Sequence, residues 1–116
     1  MGEKLYDLAF LNKISDGDSA FIMEMVTSFI ESAEEYMQKA DNQLSNNNYD
    51  AFGKATHKFI PGVSFLGIKS IEHDLMVLED NCKKGVNLEG IASDYEKLKN
   101  KIVELMTVFK ADFNLV

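Results

Sequence analysis

The chain has 116 residues, enough for one domain with a buried core and too few for two, so we expect a single domain over residues 1–116. It is 46% hydrophobic with one proline, a composition typical of a compact helical protein rather than a disordered chain. Its formal net charge is −7 and it contains no arginine, so a duplex DNA or RNA partner is not expected.

The cysteine and hydropathy patterns indicate the cellular compartment in which the protein is expected. Cys82 is the single cysteine, which excludes an internal disulfide and a cysteine-based zinc site and favours a reducing cytoplasm. No apolar run approaches the ~20 residues needed to span a bilayer. The start of the chain lacks the apolar segment of a signal peptide. We therefore expect a cytoplasmic protein without a membrane partner. We also expect a monomer.

The first half of the chain predicts a short helix and then a long one. Residues 5–11 predict a short helix or a cap lying across the bundle, and residues 15–19 supply turn residues and an N-cap. A long helix is predicted over residues 19–45, because its apolar residues keep a helical period. Those residues are Ile22, Met25, Val26, Phe29, Ala33, Tyr36, Met37, Ala40 and Leu44. The glutamates between them predict a solvated face.

The next helix is predicted over residues 49–65, after three asparagines that end the previous helix. Pro61 removes the amide that would bond to the carbonyl of His57, so a kink or local loosening is expected just after the histidine. Gly67 supplies a stop signal.

Two further long helices complete the predicted fold. The third long helix, over residues 68–84, ends at Gly85, and Asn87 is expected to cap the last one. The last helix carries one apolar seam formed by Ile91, Tyr95, Leu98, Ile102, Leu105 and Phe109. Short connections between long amphipathic helices make neighbours antiparallel. The sequence predicts an all-α fold, an antiparallel up-down-up-down four-helix bundle with a short N-terminal helix.

His57 stands out on the second long helix. At 100° per residue, one side of this helix is an apolar stripe formed by Phe52, Ala55, Phe59, Val63 and Leu66. His57 projects from the opposite side, where its neighbours Gly53, Pro61 and Ser64 are small or compact. The imidazole is therefore expected to be exposed and open to close approach by a partner. The plain alternative is a solvated histidine without a chemical role.

The residues around this histidine carry a family resemblance. The chain runs Ala55-Thr56-His57, then Phe59, then Pro61-Gly62, and closes the helix with Leu66-Gly67. This order resembles the signature of histidine-containing phosphotransfer (HPt) domains, whose second half is matched by Ile71 through Leu78-Glu79. The resemblance covers nearly the whole chain, and HPt domains are helical bundles of the predicted kind.

The resemblance implies a phosphorelay function. It implies that His57 accepts a phosphoryl group from an aspartate of a receiver domain and passes the group to another receiver. The implied partners are receiver domains of response regulators and hybrid sensor kinases, which supply Mg²⁺ and the acidic pocket for the transfer. The chain itself is expected to be a carrier rather than an enzyme and to need no cofactor, since it has no recognisable ATP-binding motif.

A docking face around His57 is also predicted. Its candidate residues are Gly53, Lys54, Lys58, Ile60, Pro61 and Ser64. Ile60 stands where the family usually has a lysine that neutralises the phosphoryl group, so Lys54 and Lys58 are candidates to replace that charge. Ile60 itself is expected to be an apolar contact in an exposed patch, without a buried role. Ser64 would either donate a hydrogen bond or only leave room.

Two alternative functions fit the same residues. The missing lysine also fits an adaptor of the same fold that binds receiver domains without being phosphorylated, and a helical structural module is a more distant alternative. His73 lies off the apolar seam of its helix and is expected to be exposed and without a role. No metal site is expected, since no Glu-x-x-His pair recurs on a facing helix.

Overall fold

The computed structural model describes residues 6–115, and its helices confirm the predicted all-α class. The short first helix is α1 (Ala9–Ser15), followed by α2 (Ser19–Ser45) and α3 (Tyr49–Phe65). The last two helices are α4 (Lys69–Lys84) and α5 (Leu88–Asp112). Helices α2, α3 and α4 begin and end within one residue of their predicted bounds, and α5 begins directly after Asn87.

The four long helices form one bundle. Connections 46–48, 66–68 and 85–87 are too short to cross the bundle, so consecutive helices run antiparallel. Helix α3 packs against α2 and α4, and α5 packs against α4 and α2. The arrangement is therefore the predicted up-down-up-down four-helix bundle.

Side-chain caps explain two of the helix starts, and one predicted cap is wrong. Asp18 Oδ1 accepts hydrogen bonds from the backbone amides of Ala20 and Phe21, at 3.0 and 3.2 Å. Asn48 Oδ1 accepts one from the amide of Ala51 at 3.2 Å. Asn87 precedes α5 but makes no side-chain cap, because its backbone is left-handed, with φ at 54°.

The N-terminal segment follows its prediction in part. The short helix begins at Ala9 rather than near residue 5, and residue 5 itself lies outside the described residues. Asp7 Oδ1 accepts a hydrogen bond from the Ala9 amide at 2.9 Å, which turns the chain before the helix begins. We call residues 6–8 the N-terminal strap. Its apolar residues are used for packing on the bundle rather than for helix formation.

The strap joins two parts of the bundle. The Tyr6 ring packs on Phe109, with centroids 4.6 Å apart, and also contacts Phe113. The Tyr6 hydroxyl donates a hydrogen bond to Asp112, and burial raises the pKa of Tyr6 to about 12. The Asp7 amide donates to the carbonyl of Leu66 at 3.3 Å. The strap thus contacts both the end of α5 and the turn after α3.

The predicted core is confirmed on α3 and α5. Phe52, Phe59 and Val63 of α3 are buried, and so is Leu66 directly after it, while Ala55 is half-buried. All six residues of the α5 seam are buried as well. The Phe59 ring stacks on Tyr36 of α2, with centroids 4.6 Å apart and planes 10° from parallel. This apolar packing fixes the rotation of α3 and so decides which of its residues face solvent.

Thr56 was not singled out by the sequence, yet it is fully buried beside His57. Its hydroxyl shares a hydrogen bond of 2.8 Å with the hydroxyl of Tyr36. Thr56→Val should lower the free energy of unfolding by about 1–3 kcal/mol, because the buried tyrosine hydroxyl loses its partner. Urea denaturation measures this loss. The double variant Tyr36→Phe/Thr56→Val should recover most of it, and a double variant as unstable as the sum of the singles would contradict the argument.

Within residues 6–115, no helix is both long and apolar enough to cross a membrane.

Candidate functional site

His57 lies near the middle of α3, on the side opposite the buried stripe. Its side chain is 71% exposed, which confirms the predicted exposure. Helix α3 remains helical on both sides of Pro61 and ends at Phe65. The imidazole is therefore presented from a rigid element and not from a loop.

Glu79 of α4 holds the imidazole. Its Oε2 lies 2.6 Å from Nδ1 of His57, and its side chain is only 14% exposed. An ionised carboxylate can only accept hydrogen bonds, so Nδ1 carries the proton and donates it. The lone pair of the neutral ring is then on Nε2, which is the nitrogen left for a reacting group.

Lys83 adds positive charge beside this carboxylate. Its Nζ lies 3.6 Å from the same Oε2 of Glu79, one helical turn further along α4. Because a mostly buried carboxylate needs partners, the histidine and the lysine together stabilise the charge of Glu79. Sequence reasoning placed Glu79 in the family pattern but did not pair it with His57. A contact between two helices depends on how they are rotated relative to each other, and the spacing of residues along the sequence does not give this rotation.

A cleft of about 390 Å³ opens between α3 and α4 at the histidine. It is lined by Tyr49, Asp50, Gly53, Lys54, His57, Glu79, Cys82 and Lys83. Of the predicted docking residues, the cleft therefore brings Gly53 and Lys54 together with His57. Lys54 Nζ is paired with Asp50 at 3.2 Å, with both side chains largely exposed, so part of its charge is already balanced.

Lys58 lies on the other flank of α3. It lines a separate groove of about 280 Å³ between α2 and α3, together with apolar residues such as Phe29 and Phe59. Among the described residues Lys58 has no carboxylate partner within ion-pair distance. The two lysines proposed to replace the missing family lysine therefore lie on opposite sides of His57, and Lys58 is the one with an unbalanced charge.

Ile60 corrects one prediction. The sequence predicted an exposed apolar contact without a buried role, but Ile60 is half-buried and packs against the core. It lies one turn after Thr56 and one turn before Val63, which are both fully buried, so its side chain is turned partly into the bundle. Pro61 and Ser64 are exposed, as predicted. The Ile60 side chain is thus shared between the core and the surface.

Met76 belongs to the same surface and was missed. It precedes Glu79 by three residues, so both lie on one face of α4, and it is 53% exposed. Gly53 approaches Cys82 and His57 bonds to Glu79, and this antiparallel register places Met76 opposite Ile60 and Pro61. An exposed methionine provides adaptable apolar area of a kind that suits protein contacts.

His73 is exposed, as predicted. Its neighbour Asp74 is bonded to Lys101 of α5 at 2.6 Å, which ties α4 to α5. Residues 6–115 contain no cluster of three or more His, Cys, Asp or Glu side chains arranged to hold a metal ion. Among the described residues, His57 therefore has a carboxylate partner and His73 has none.

Together, fold and site define a helical bundle that presents an accessible, carboxylate-bound histidine. The chain is similar to the phosphorelay intermediate protein rdeA of Dictyostelium discoideum, with 26% identity over 110 residues. The match covers 95% of this chain and 42% of that relative, so the chain spans less than half of the relative's length. No family model matches the chain, and no solved structure matches it. The similarity supports a phosphorelay role in general and an HPt-like family.

Proposed function

We propose that this chain is a histidine phosphotransfer protein, in which His57 accepts a phosphoryl group from the aspartate of one receiver domain and passes it to another. The observation that carries the proposal is the bond between Nδ1 of an exposed His57 and the nearly buried carboxylate of Glu79. The similarity to a phosphorelay intermediate supports the same assignment.

The transfer uses Nε2 of His57 as the nucleophile. Nε2 attacks the phosphorus atom, a nitrogen–phosphorus bond forms, and the bond from phosphorus to the aspartate oxygen breaks with its electron pair leaving on the carboxylate. Nδ1 keeps its proton throughout, so the phosphorylated ring is an imidazolium. Glu79 lies against that ring and offsets its positive charge, as a carboxylate does for a catalytic histidine. The onward transfer reverses these steps with a second aspartate.

The rest of the machinery belongs to the partner. A receiver domain would supply Mg²⁺ and the acidic pocket, while this chain orients the imidazole and offers a docking surface. On this chain that surface comprises Gly53, Lys54, Lys58, Ile60, Pro61 and Ser64, with Met76 added from α4. We assign the missing family lysine's charge to Lys58 rather than Lys54, because Lys54 is paired with Asp50. The chain acts as a carrier, a cytoplasmic monomer without a cofactor of its own.

Phosphotransfer profiling tests the proposal. The protein is incubated with radiolabelled, phosphorylated receiver domains, and label on the chain is measured together with receiver binding. Label that is stable in alkali and labile in acid is expected, as for a phosphohistidine. Binding without label would overturn the proposal in favour of an adaptor, and loss of both would favour a structural module.

Glu79 offers a sharper prediction. Glu79→Ala should slow single-turnover transfer from a phosphorylated receiver by about 10-fold or more, because the ring loses its orienting carboxylate. Glu79→Gln keeps a hydrogen-bond acceptor without the charge and should lie between Glu79→Ala and the wild type. Asp80→Asn is the matched control, since Asp80 is an exposed neighbour that pairs with Lys84 and does not touch His57. Unchanged transfer in Glu79→Ala would show that the carboxylate has no part in the reaction.

A further inference from the structure

We infer that the close contact between Gly53 and Cys82 is a spacer that sets the distance between α3 and α4 and thereby aligns Glu79 with Nδ1 of His57. Gly53, assigned to the docking face by its sequence position, is on this view a positioning residue. The inference rests on the proposed function for its importance in transfer, but its geometric part can be measured without any phosphorylation.

Cys82 of α4 lies close to the backbone of α3 at Gly53. A Cβ atom added at Gly53 would lie 3.1 Å from Cβ of Cys82 and 3.9 Å from its Sγ. At 3.1 Å the neighbour has to give way by a few tenths of an ångström. Gly53 has no positive φ, so its backbone would accept any residue with a side chain. Space for α4, and not backbone conformation, therefore explains a glycine in the interior of this helix.

This contact lies one turn away from the functional pair. His57 follows Gly53 by one turn of α3, and Glu79 precedes Cys82 by one turn of α4. The His57–Glu79 distance of 2.6 Å is short for a hydrogen bond, and such bonds weaken beyond about 3.2 Å. A displacement of α4 by a few tenths of an ångström would lengthen this bond to about 3 Å, which weakens it without breaking it.

Gly62 supplies an internal comparison. It lies in the same helix and also has no positive φ, but a Cβ added there would meet nothing within 4 Å. Both glycines weaken the helix by the same backbone effect, and only Gly53 is in a crowded position. Substituting each with alanine therefore separates spacing from helix propensity.

The experiment compares Gly53→Ala with Gly62→Ala in the full chain. The nitrogen-15 chemical shifts of the imidazole report which ring nitrogen carries the proton, and they require no partner. We expect Gly62→Ala to keep the wild-type Nδ1–H form of His57. Gly53→Ala should move part of the tautomer population towards Nε2–H and slow transfer from a phosphorylated receiver severalfold.

Rescue distinguishes spacing from general damage. Cys82→Gly in the Gly53→Ala background moves the glycine to the other side of the contact, so the tautomer and the transfer rate should both recover. Cys82→Ala should not rescue, because alanine keeps the Cβ atom that lies 3.1 Å from the added methyl group. If Gly53→Ala is poorly folded, recovery of folding by Cys82→Gly but not by Cys82→Ala supports the same contact.

The outcomes separate the two proposals. A wild-type tautomer and rate in Gly53→Ala, or an equal change in Gly62→Ala, would overturn the spacer. If wild-type His57 takes no phosphoryl group while Gly53→Ala still shifts the tautomer, the spacer stands and the proposed function fails.

Discussion

His57→Gln should fold as the wild type does and accept no phosphoryl group. The His57 side chain is 71% exposed and takes no part in the core, so its replacement should change the free energy of unfolding by no more than about 0.5 kcal/mol. The glutamine amide can still donate to Glu79, but it offers no nitrogen lone pair to attack phosphorus. Label from a phosphorylated receiver and a urea denaturation curve measure the two effects.

His73→Gln is the matched control for this loss. Both histidines are exposed on long helices of the bundle, and only His57 is bonded to a nearly buried carboxylate. His73→Gln should therefore take up label as the wild type does. Label retained by His57→Gln and lost from His73→Gln would move the phosphorylated residue to α4.

Gly67→Ala should destabilise the protein more than Gly53→Ala, Gly62→Ala or Gly85→Ala. Gly67 has φ at +66°, a conformation that costs a residue with a side chain about 1–2 kcal/mol. A Cβ at this position would also lie 2.2 Å from the backbone oxygen of Asp7, so the N-terminal strap would have to move. We expect a total loss on the order of 3 kcal/mol or more in the free energy of unfolding, measured by urea denaturation.

Gly85→Ala separates the two causes of that loss. Gly85 has nearly the same φ, +67°, but a Cβ there would meet nothing within 4 Å. It should lose only the backbone part, about 1–2 kcal/mol. Equal losses of unfolding free energy in Gly67→Ala and Gly85→Ala would mean that the strap does not crowd a side chain at position 67.

The long helices were predictable because two signals agree in each of them. A helical period of apolar residues gives the buried face, and residues such as Asp18 and Gly85 give the ends. The start of the short helix was placed too early because the apolar residues of the strap mimic a helix, while Tyr6 packs on a helix more than a hundred positions later in the chain. The predicted cap at Asn87 was wrong because asparagine suits both a helix cap and a left-handed turn. The connection between α4 and α5 requires the left-handed turn.

Only those features of the site that depend on α3 alone could be predicted from the sequence. The exposure of His57 follows from the apolar stripe on the far side of α3, since the helical period sets both. Its partner Glu79 comes from another helix, and the balance between Lys54 and Lys58 depends on which carboxylates are nearby. Ile60 was placed on the surface by its angle alone, while the actual depth depends on how closely α3 approaches its neighbours.

The N-terminal strap also determines where the described chain enters and leaves the bundle. Tyr6 contacts Phe109 and Phe113, so the two ends of the described chain meet at a single pole of the bundle. That pole adjoins Leu66, nine residues beyond His57, or roughly 13 Å along the helix axis. The described chain therefore enters and leaves the bundle at this pole, while the imidazole lies on the flank of the bundle, away from it.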